Sequence, residues 1–336
     1  MKTERKPKGE NKMIKNKRKH LSALYEHLDA YVRKKRNLPI TENQAKKITE
    51  DSLGPFYNLL DDYILKKGNE IHPVIGIIFS NRGADGRKPL FDATKNRTKE
   101  IMAYWYDEKN GIIEITAKES GYEIRSPESM NYFFYNRPYE NFLISYLDVS
   151  HIDVSDVSDF SCCFRDFGYI VPGDVGKGVK SEIIGLETWD VVNGEDFSFM
   201  FSDAFNKNDT VELNLSTWRF NSQNPIKFIG TFESLGWKAN KVNLDVTGWN
   251  VTKGYDFSRL FEGFAPHAKT VKLKGVEDWP VGHGYNFNRT FKNFAPHSNY
   301  RLNLSNWNKT GKLVGSHKEF SDGTFFKIRE PIWKNY

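Results

Sequence analysis

Five tryptophans in the second half of the chain recur at an almost constant interval. They are Trp189, Trp218, Trp249, Trp279 and Trp307. The intervals between them are 29, 31, 30 and 28 residues. A period in this range is typical of units that stack on one another, because one such unit cannot bury its apolar face alone. The spacing therefore predicts an array of repeats in which neighbouring copies cover each other.

Two further apolar signals recur once in each copy. A short alternation of apolar residues, such as Leu244 and Val246, precedes each tryptophan and indicates one strand. Pairs of apolar aromatic residues four apart indicate one face of a short helix. The second members of these pairs are Phe164, Phe201, Phe232, Phe261 and Phe291. We expect these phenylalanines and the five tryptophans to form the core of the array.

A short polar residue stands directly before the first phenylalanine of most pairs. These residues are Asp159, Asp196, Asp256 and Asn286. Their side chains are predicted to cap the short helices by accepting hydrogen bonds from free N–H groups. The predicted fold is an α/β repeat solenoid of the leucine-rich-repeat type, with one parallel sheet and short helices. It has six copies over residues 146–325, followed by a cap or tail over residues 326–336.

Two segments of the array resemble a known family of repeats. The sequences LETWDVVNGEDFSFMF, residues 186–201, and LDVTGWNVTKGYDFSRLF, residues 244–261, resemble the BspA-like repeats of mycoplasma and other bacterial surface proteins. The resemblance covers roughly residues 145–325. It implies a leucine-rich-repeat-like solenoid that is used in adhesion or in protein contact.

The N-terminal part is predicted to be a basic arm followed by helices. Residues 1–20 contain many lysines and few large apolar side chains, so they are expected to be disordered on their own. A helical spacing of apolar residues begins at Leu21, and a capping pattern at Thr41 begins a second helix. A third helix is predicted to end near Gly68. Residues 21–70 are therefore expected to form a helical segment.

Residues 71–145 are predicted to form a small α+β domain. The apolar run from Val74 to Phe79 indicates a buried strand, and the pattern from Asn96 to Asp107 indicates a helix. Residues Ile112 to Ala117 and Tyr122 to Arg125 alternate between apolar and polar side chains. This alternation predicts a β-hairpin.

The positive charge of the chain is concentrated at its N-terminus. The whole sequence has a formal net charge of +6, whereas residues 1–36 alone carry +9, which leaves −3 for the remainder. Such a segment can attract an acidic partner or the phosphates of nucleic acid. The predicted attachment residues are Lys12, Lys15, Lys17, Arg18, Lys19, Arg33, Lys34, Lys35 and Arg36.

The sequence offers no convincing catalytic, cofactor or metal site. His267 and His297 occupy equivalent positions in two copies, but no third ligand recurs with them, and a structural zinc site needs four. Glu114 and Lys118, after Asp107, have the wrong spacing for the acid-and-lysine set of a nuclease. We therefore expect a protein that is not an enzyme and holds no cofactor.

The N-terminus gives no indication of export. The first twenty residues have the charge of a signal peptide but no apolar stretch follows them, and no apolar run in the chain is long enough to span a membrane. The sequence therefore predicts a cytoplasmic or virion-associated protein.

Three functional hypotheses follow from the sequence. The first is a non-enzymatic interaction or assembly module that presents its repeats to a protein partner and is attached through the basic arm, for example as a structural component of a virion. The second is a nucleic-acid-associated protein that uses the basic N-terminus. The third is a bacterial adhesin-like surface protein. An enzyme hidden in residues 71–145 is a further alternative, and the sequence favours it least. The sequence leaves the partner and the oligomeric state open.

Overall fold

A computed structural model describes eight ranges of the chain: residues 47–55, 74–109, 111–135, 144–168, 180–220, 223–309, 313–324 and 327–334. Within these ranges the chain forms sixteen strands, two short 3-10 helices and no α-helix. The 3-10 helices span Leu186–Thr188 and Ser305–Asn308. The strands are β1 Lys47–Ser52, β2 Gly76–Ser80, β3 Phe91–Asp92, β4 Ile101–Asp107, β5 Ile112–Ala117, β6 Tyr122–Arg125, β7 Tyr146–Asp148, β8 Ile152–Asp153, β9 Glu182–Ile184, β10 Thr210–Asn214, β11 Ile226–Lys227, β12 Lys241–Asp245, β13 Gly254–Asp256, β14 Thr270–Lys274, β15 Leu302–Asn303 and β16 Ile328–Arg329.

The strands belong to five small sheets, and most of the pairings are parallel. The largest sheet has the order β3-β4-β5-β2-β7-β9, in which only the pairs β3-β4 and β4-β5 are antiparallel. Two three-stranded parallel sheets have the orders β1-β6-β8 and β10-β12-β14. The pairs β11-β13 and β15-β16 are also parallel.

The predicted fold class is wrong in two respects. The strands that precede the tryptophans do not form one parallel sheet, because β9 lies in the six-stranded sheet and β15 pairs with β16. Only β10, β12 and β14 lie together. The segments with paired phenylalanines are turns rather than short helices, so the described structure is not an α/β solenoid.

The left-handed backbone at one position of each turn explains why no helix forms. Two residues after the first phenylalanine of a pair, Phe199, Arg259 and Arg289 have φ values of 57°, 58° and 61°. Such residues interrupt the right-handed helical hydrogen-bonding pattern. The N–H groups of Phe257 and Phe261 instead donate to carbonyls of the next copy, at 2.8 and 2.7 Å. Phenylalanines four apart thus share a face without a helix.

The four polar residues assigned as helix caps have a different role, because there is no helix for them to cap. The side chain of Asp256 accepts a hydrogen bond from the N–H of Ser258 at 2.9 Å, and Asn286 accepts one from Asn288. These are local turns closed by an Asp or Asn side chain. The same bond is made by Asp159 and Asp196.

A line of parallel backbone pairs joins equivalent residues of successive copies, and we call it the register ladder. It begins at Ser129, inside the range 71–145 that the sequence assigned to a separate α+β domain. The N–H of Phe134 donates to the carbonyl of Cys163 at 2.8 Å, so this first copy pairs like the others. The ladder consists of Ser129, Asp159, Asp196, Lys227, Asp256, Asn286 and Ser316.

Aromatic rings stack along the array at the spacing that the register ladder sets. The ten tryptophans and phenylalanines assigned to the core from the sequence are all at most 4% exposed. Phe164, Phe201, Phe232, Phe261 and Phe291 form one column, with 5.2 to 5.8 Å between successive ring centroids. The rings of Trp218, Trp249 and Trp279 stack at 5.9 and 5.8 Å. Each copy therefore packs its rings against those of its neighbours.

Two helices predicted near the N-terminus are strands in the structure. Residues Lys47–Ser52, within the helix predicted from Thr41, form β1 and pair with β6. Residues Ile101–Asp107, within the helix predicted over 96–107, form β4 and pair antiparallel with β5. Apolar side chains at helical spacing are compatible with β4 because most of that strand is buried on both faces.

The predicted hairpin is also wrong, although both of its strands exist. Strand β5 pairs with β2 and β4, whereas β6 pairs with β1 and β8 in another sheet. The predicted strand at Val74 to Phe79 is present as β2. The basic arm, the helix from Leu21 and the helix ending near Gly68 lie outside the described residues.

Phe261→Ala should lower the free energy of unfolding by about 3 to 5 kcal/mol, because it empties a fully buried position between two stacked rings. The exposed Lys253 is the matched control in the same copy, and Lys253→Ala should change stability by less than about 0.5 kcal/mol. Chemical denaturation measures both. Equal and small effects would contradict the stacked core.

Candidate binding surface

The outward face of the sheet β10-β12-β14 is a regular polar surface. Its side chains alternate, so Leu213, Leu244 and Leu273 are buried while their neighbours point outward. The parallel register places Glu212 beside Asn243 and Asn243 beside Lys272. A row that runs from acidic through neutral to basic therefore crosses the three strands.

An open groove extends along this face beyond the three strands. It has a volume of about 560 Å³ and continues past β10 to Ile183, Leu186 and Glu187. Glu187 and Glu212 lie toward one end, and Lys272 and Lys274 lie toward the other, where Asp245 pairs with Lys274. We call this surface the strand groove. Its charge changes sign along its length.

Neighbouring strands of the groove are linked by ion pairs. Lys241 Nζ lies 3.0 Å from Glu212 Oε1, and Lys274 Nζ lies 2.9 Å from Asp245 Oδ2. Exposed pairs of this kind contribute at most about 1 kcal/mol each, so their side chains can be rearranged by a ligand. Partial burial opposes ionisation of Asp245, but hydrogen bonds from Thr247 and Lys274 outweigh it and lower the pKa of this carboxyl.

The side-chain amide of Asn243, in the middle of the groove, makes a hydrogen bond through its nitrogen but not through its oxygen. Its Nδ2 donates to Glu212 Oε1 at 3.3 Å. Its Oδ1 is buried and has no hydrogen-bond partner among the described residues. A buried amide oxygen without a donor costs free energy, and because it is buried a ligand in the groove cannot reach it unless the Asn243 side chain rotates.

A second charged surface follows the left-handed turns, and we call it the charged rim. Arg259 Nη2 lies 2.6 Å from Glu233 Oε1, and Arg289 Nη2 lies 2.5 Å from Glu262 Oε1. At the other end of the rim, burial and the nearby carboxylate of Asp203 raise the pKa of Asp166 to about 6, against the opposing effect of Arg165. The ionised form of the Asp166 carboxyl is therefore unfavourable in the folded protein near neutral pH.

The residues that the sequence suggested for chemistry have structural partners. Glu114 is fully buried and accepts hydrogen bonds from Ser80 Oγ and Arg87 Nη1, both at 2.5 Å. The rings of His267 and His297 stack with 6.2 Å between their centroids. In the part of the chain that the structure describes, no group of three or more Asp, Glu, His or Cys could hold a metal ion.

The basic residues proposed for attachment, from Lys12 to Arg36, lie outside the described ranges. The structure instead reveals exposed aromatic side chains that the sequence analysis did not single out, including Trp237 and Tyr285. Tyr255 and Tyr285 stand immediately before the ladder residues Asp256 and Asn286. Their recurrence was readable from the sequence, but their exposure was not.

No helix among the described residues is long and apolar enough to cross a membrane.

The chain belongs to the family described as "Mycoplasma protein of unknown function, DUF285". The family model matches residues 104–273, 175–307 and 225–333, which together cover more than half of the chain. These overlapping matches include the whole register ladder and extend N-terminal to it. No curated protein and no solved structure matches the chain.

The raised pKa of Asp166 predicts that stability decreases as the pH rises. Between the ordinary value of 3.8 and about 6, the folded protein keeps this proton and the unfolded chain releases it. Asp166→Asn removes the charge and suits the left-handed backbone at this position. At pH 8 the variant should be more stable than the parent by up to about 1 kcal/mol, after allowance for solvent screening.

Thermal unfolding at pH 4 and at pH 8 measures this effect, and the advantage of the variant should disappear at pH 4. The exposed Asp190 supplies the control, because Asp190→Asn makes the same substitution on the surface and should change stability by less than about 0.5 kcal/mol. An advantage of Asp166→Asn that is equal at the two pH values would contradict the assignment.

Proposed function

We propose that this protein is a non-enzymatic interaction module that binds a protein partner in the strand groove. The observation that carries the proposal is the row Glu212, Asn243 and Lys272. It places an acidic, an amide and a basic side chain next to one another on one face of the sheet. Parallel pairing fixes these residues in register, and the buried leucines beside them fix their direction. A fixed surface loses little conformational freedom on binding.

The charges of the groove define the partner that it fits. A basic group of the partner would contact Glu187 and Glu212, and an acidic group would contact Lys272 and Lys274. An uncharged polar group between them would lie beside the amide of Asn243. An extended polypeptide segment can supply these three groups in that order. The arrangement favours specificity and orientation more than affinity.

The manner of attachment is part of the same proposal. The charge of +9 on residues 1–36 supports attachment to an acidic partner, and a cytoplasmic or virion-associated structural protein is the role we favour. An adhesin-like surface protein is the alternative that the resemblance to BspA-like repeats suggests, whereas the family model names only a mycoplasma family of unknown function. The same charge supports nucleic-acid association as a further alternative.

Charge reversal in the groove tests the proposed interaction. Lys272→Glu should prevent binding of an acidic group, whereas Lys253→Glu makes the same change at an exposed position outside β10, β12 and β14. Cross-linking followed by mass spectrometry, with protein added to extracts of the native source, identifies the bound proteins. We expect a partner that is captured by the parent and by Lys253→Glu but not by Lys272→Glu. An identical set of proteins with all three would contradict the proposal.

Deletion of residues 1–20 tests the role of the basic arm. The deletion should leave the thermal unfolding temperature unchanged and should abolish the part of attachment that weakens with salt. Co-sedimentation with the partner at low and high salt measures attachment, and the same assay with added nucleic acid tests the alternative. Unchanged co-sedimentation at low salt would show that the arm is not the attachment site.

A further inference from the structure

Two tyrosines form a partly exposed stack beside the register ladder. The rings of Tyr255 and Tyr285 lie with 5.4 Å between their centroids and 20° between their planes. Each precedes a ladder residue, Asp256 or Asn286. Unlike the tryptophans and phenylalanines of the core, Tyr285 is 57% exposed. This row therefore extends the stacking of the array to its surface.

The next copy leaves the third position of this row without a side chain. Gly315 precedes Ser316, the ladder residue that pairs with Asn286, so it occupies the position equivalent to Tyr285. The N–H of Ser316 donates to the carbonyl of Tyr285 at 2.9 Å. A Cβ atom on Gly315 would lie 2.8 Å from that carbonyl oxygen, so a side chain there would require the backbone to move. Among the residues that the structure describes, the row ends beside an open space.

That space is a shallow slot with a mainly apolar lining, and we call it the tyrosine slot. It is lined by Tyr285, Val314, Gly315, Ser316, His317 and Lys318 and has a volume of about 690 Å³. Val314 is 45% exposed, so its apolar side chain can contact a ligand in the slot. Lys318 is also exposed and places a cation at the edge of the tyrosine slot.

Two of the polar side chains of the slot, Ser316 and His317, are already engaged. Ser316 Oγ donates to Asn288 Oδ1 at 2.7 Å, and the His317 ring is stacked against Trp333. A sugar, which needs several hydrogen-bonding partners, fits such a lining poorly. A planar apolar ring fits it well, because it gains stacking on Tyr285 and apolar contact with Val314.

We propose that the tyrosine slot binds an aromatic side chain of a partner polypeptide, stacked on Tyr285 as the next ring of the row. A carboxylate adjacent to that side chain pairs with Lys318. The occupant is thus an acidic segment with an aromatic residue, and it binds apart from the strand groove because Tyr285, Val314 and Lys318 belong to none of the strands β10, β12 and β14. A single stacked ring and one exposed charge give weak binding, which becomes strong only in combination with a second contact.

The test is a titration of the full-length protein with N-acetyl-aspartyl-tryptophan amide, followed by NMR of the Val314 methyl groups. The ring current of a stacked indole should shift these signals, and N-acetyl-aspartyl-leucine amide should bind at least tenfold more weakly. Tyr285→Leu should weaken binding of the tryptophan peptide at least fivefold. Lys318→Ala should weaken it about threefold and should remove its dependence on salt, as expected for loss of an exposed ion pair.

Tyr106→Leu is the matched control, because Tyr106 is another exposed tyrosine and lies outside this row. It should leave the affinity unchanged. Equal affinity for the leucine and tryptophan peptides would overturn the proposal, as would undiminished binding by Tyr285→Leu with an otherwise unchanged spectrum. If Tyr285→Leu does not fold, the comparison of the two peptides on the parent protein still decides the result. Failure of partner capture by the strand groove would leave this outcome unaffected.

Discussion

Parallel pairing between equivalent residues of successive copies is the constraint on which the rest of the structure depends. The register ladder from Ser129 to Ser316 places each copy one strand spacing from the next. Identical side chains then lie above one another. The columns of phenylalanine and tryptophan follow directly, because flat rings stack well at the separation that backbone pairing imposes.

The same register determines what the surface can do. Outward residues at equivalent positions of neighbouring copies also lie side by side. Where the copies carry different residues at such a position, different side chains are therefore adjacent on the surface. Glu212, Asn243 and Lys272 occupy one such row, and the stacked tyrosines with Gly315 occupy another. Copies can therefore differ at outward positions while the buried rings preserve the fold.

The periodic tryptophans correctly predicted repeated copies and located side chains that are buried, because burial of large apolar groups follows from composition and spacing. The prediction of short helices in each copy is wrong because residues four apart share a face in a helix and also in these turns, in which residues with positive φ interrupt the right-handed backbone. Gly230 and Gly263, at left-handed positions, were the available signal, since glycine costs about 1 kcal/mol inside a helix. Phe199 and Arg259 adopt the same conformation at the positions equivalent to Gly230 in the two neighbouring copies, and there they conceal that signal.

The candidate surfaces were less accessible to sequence reasoning than the core. Whether Lys272 lies beside Asn243 depends on strand register, and whether Tyr285 is exposed depends on Gly315 in the following copy. Both are relations between residues about thirty positions apart. The periodicity indicates that such relations exist but does not specify which face of a copy meets the solvent.

Solution NMR of the amide protons in a central copy tests the account most directly. The structure predicts that the amide of Phe261 is hydrogen-bonded to the carbonyl of Thr290, in the next copy. Nuclear Overhauser contacts between these two residues, together with slow exchange of the Phe261 amide, are the expected result. Contacts from each α proton to the amide three residues later throughout residues 257–264 would indicate a helix and would contradict the account.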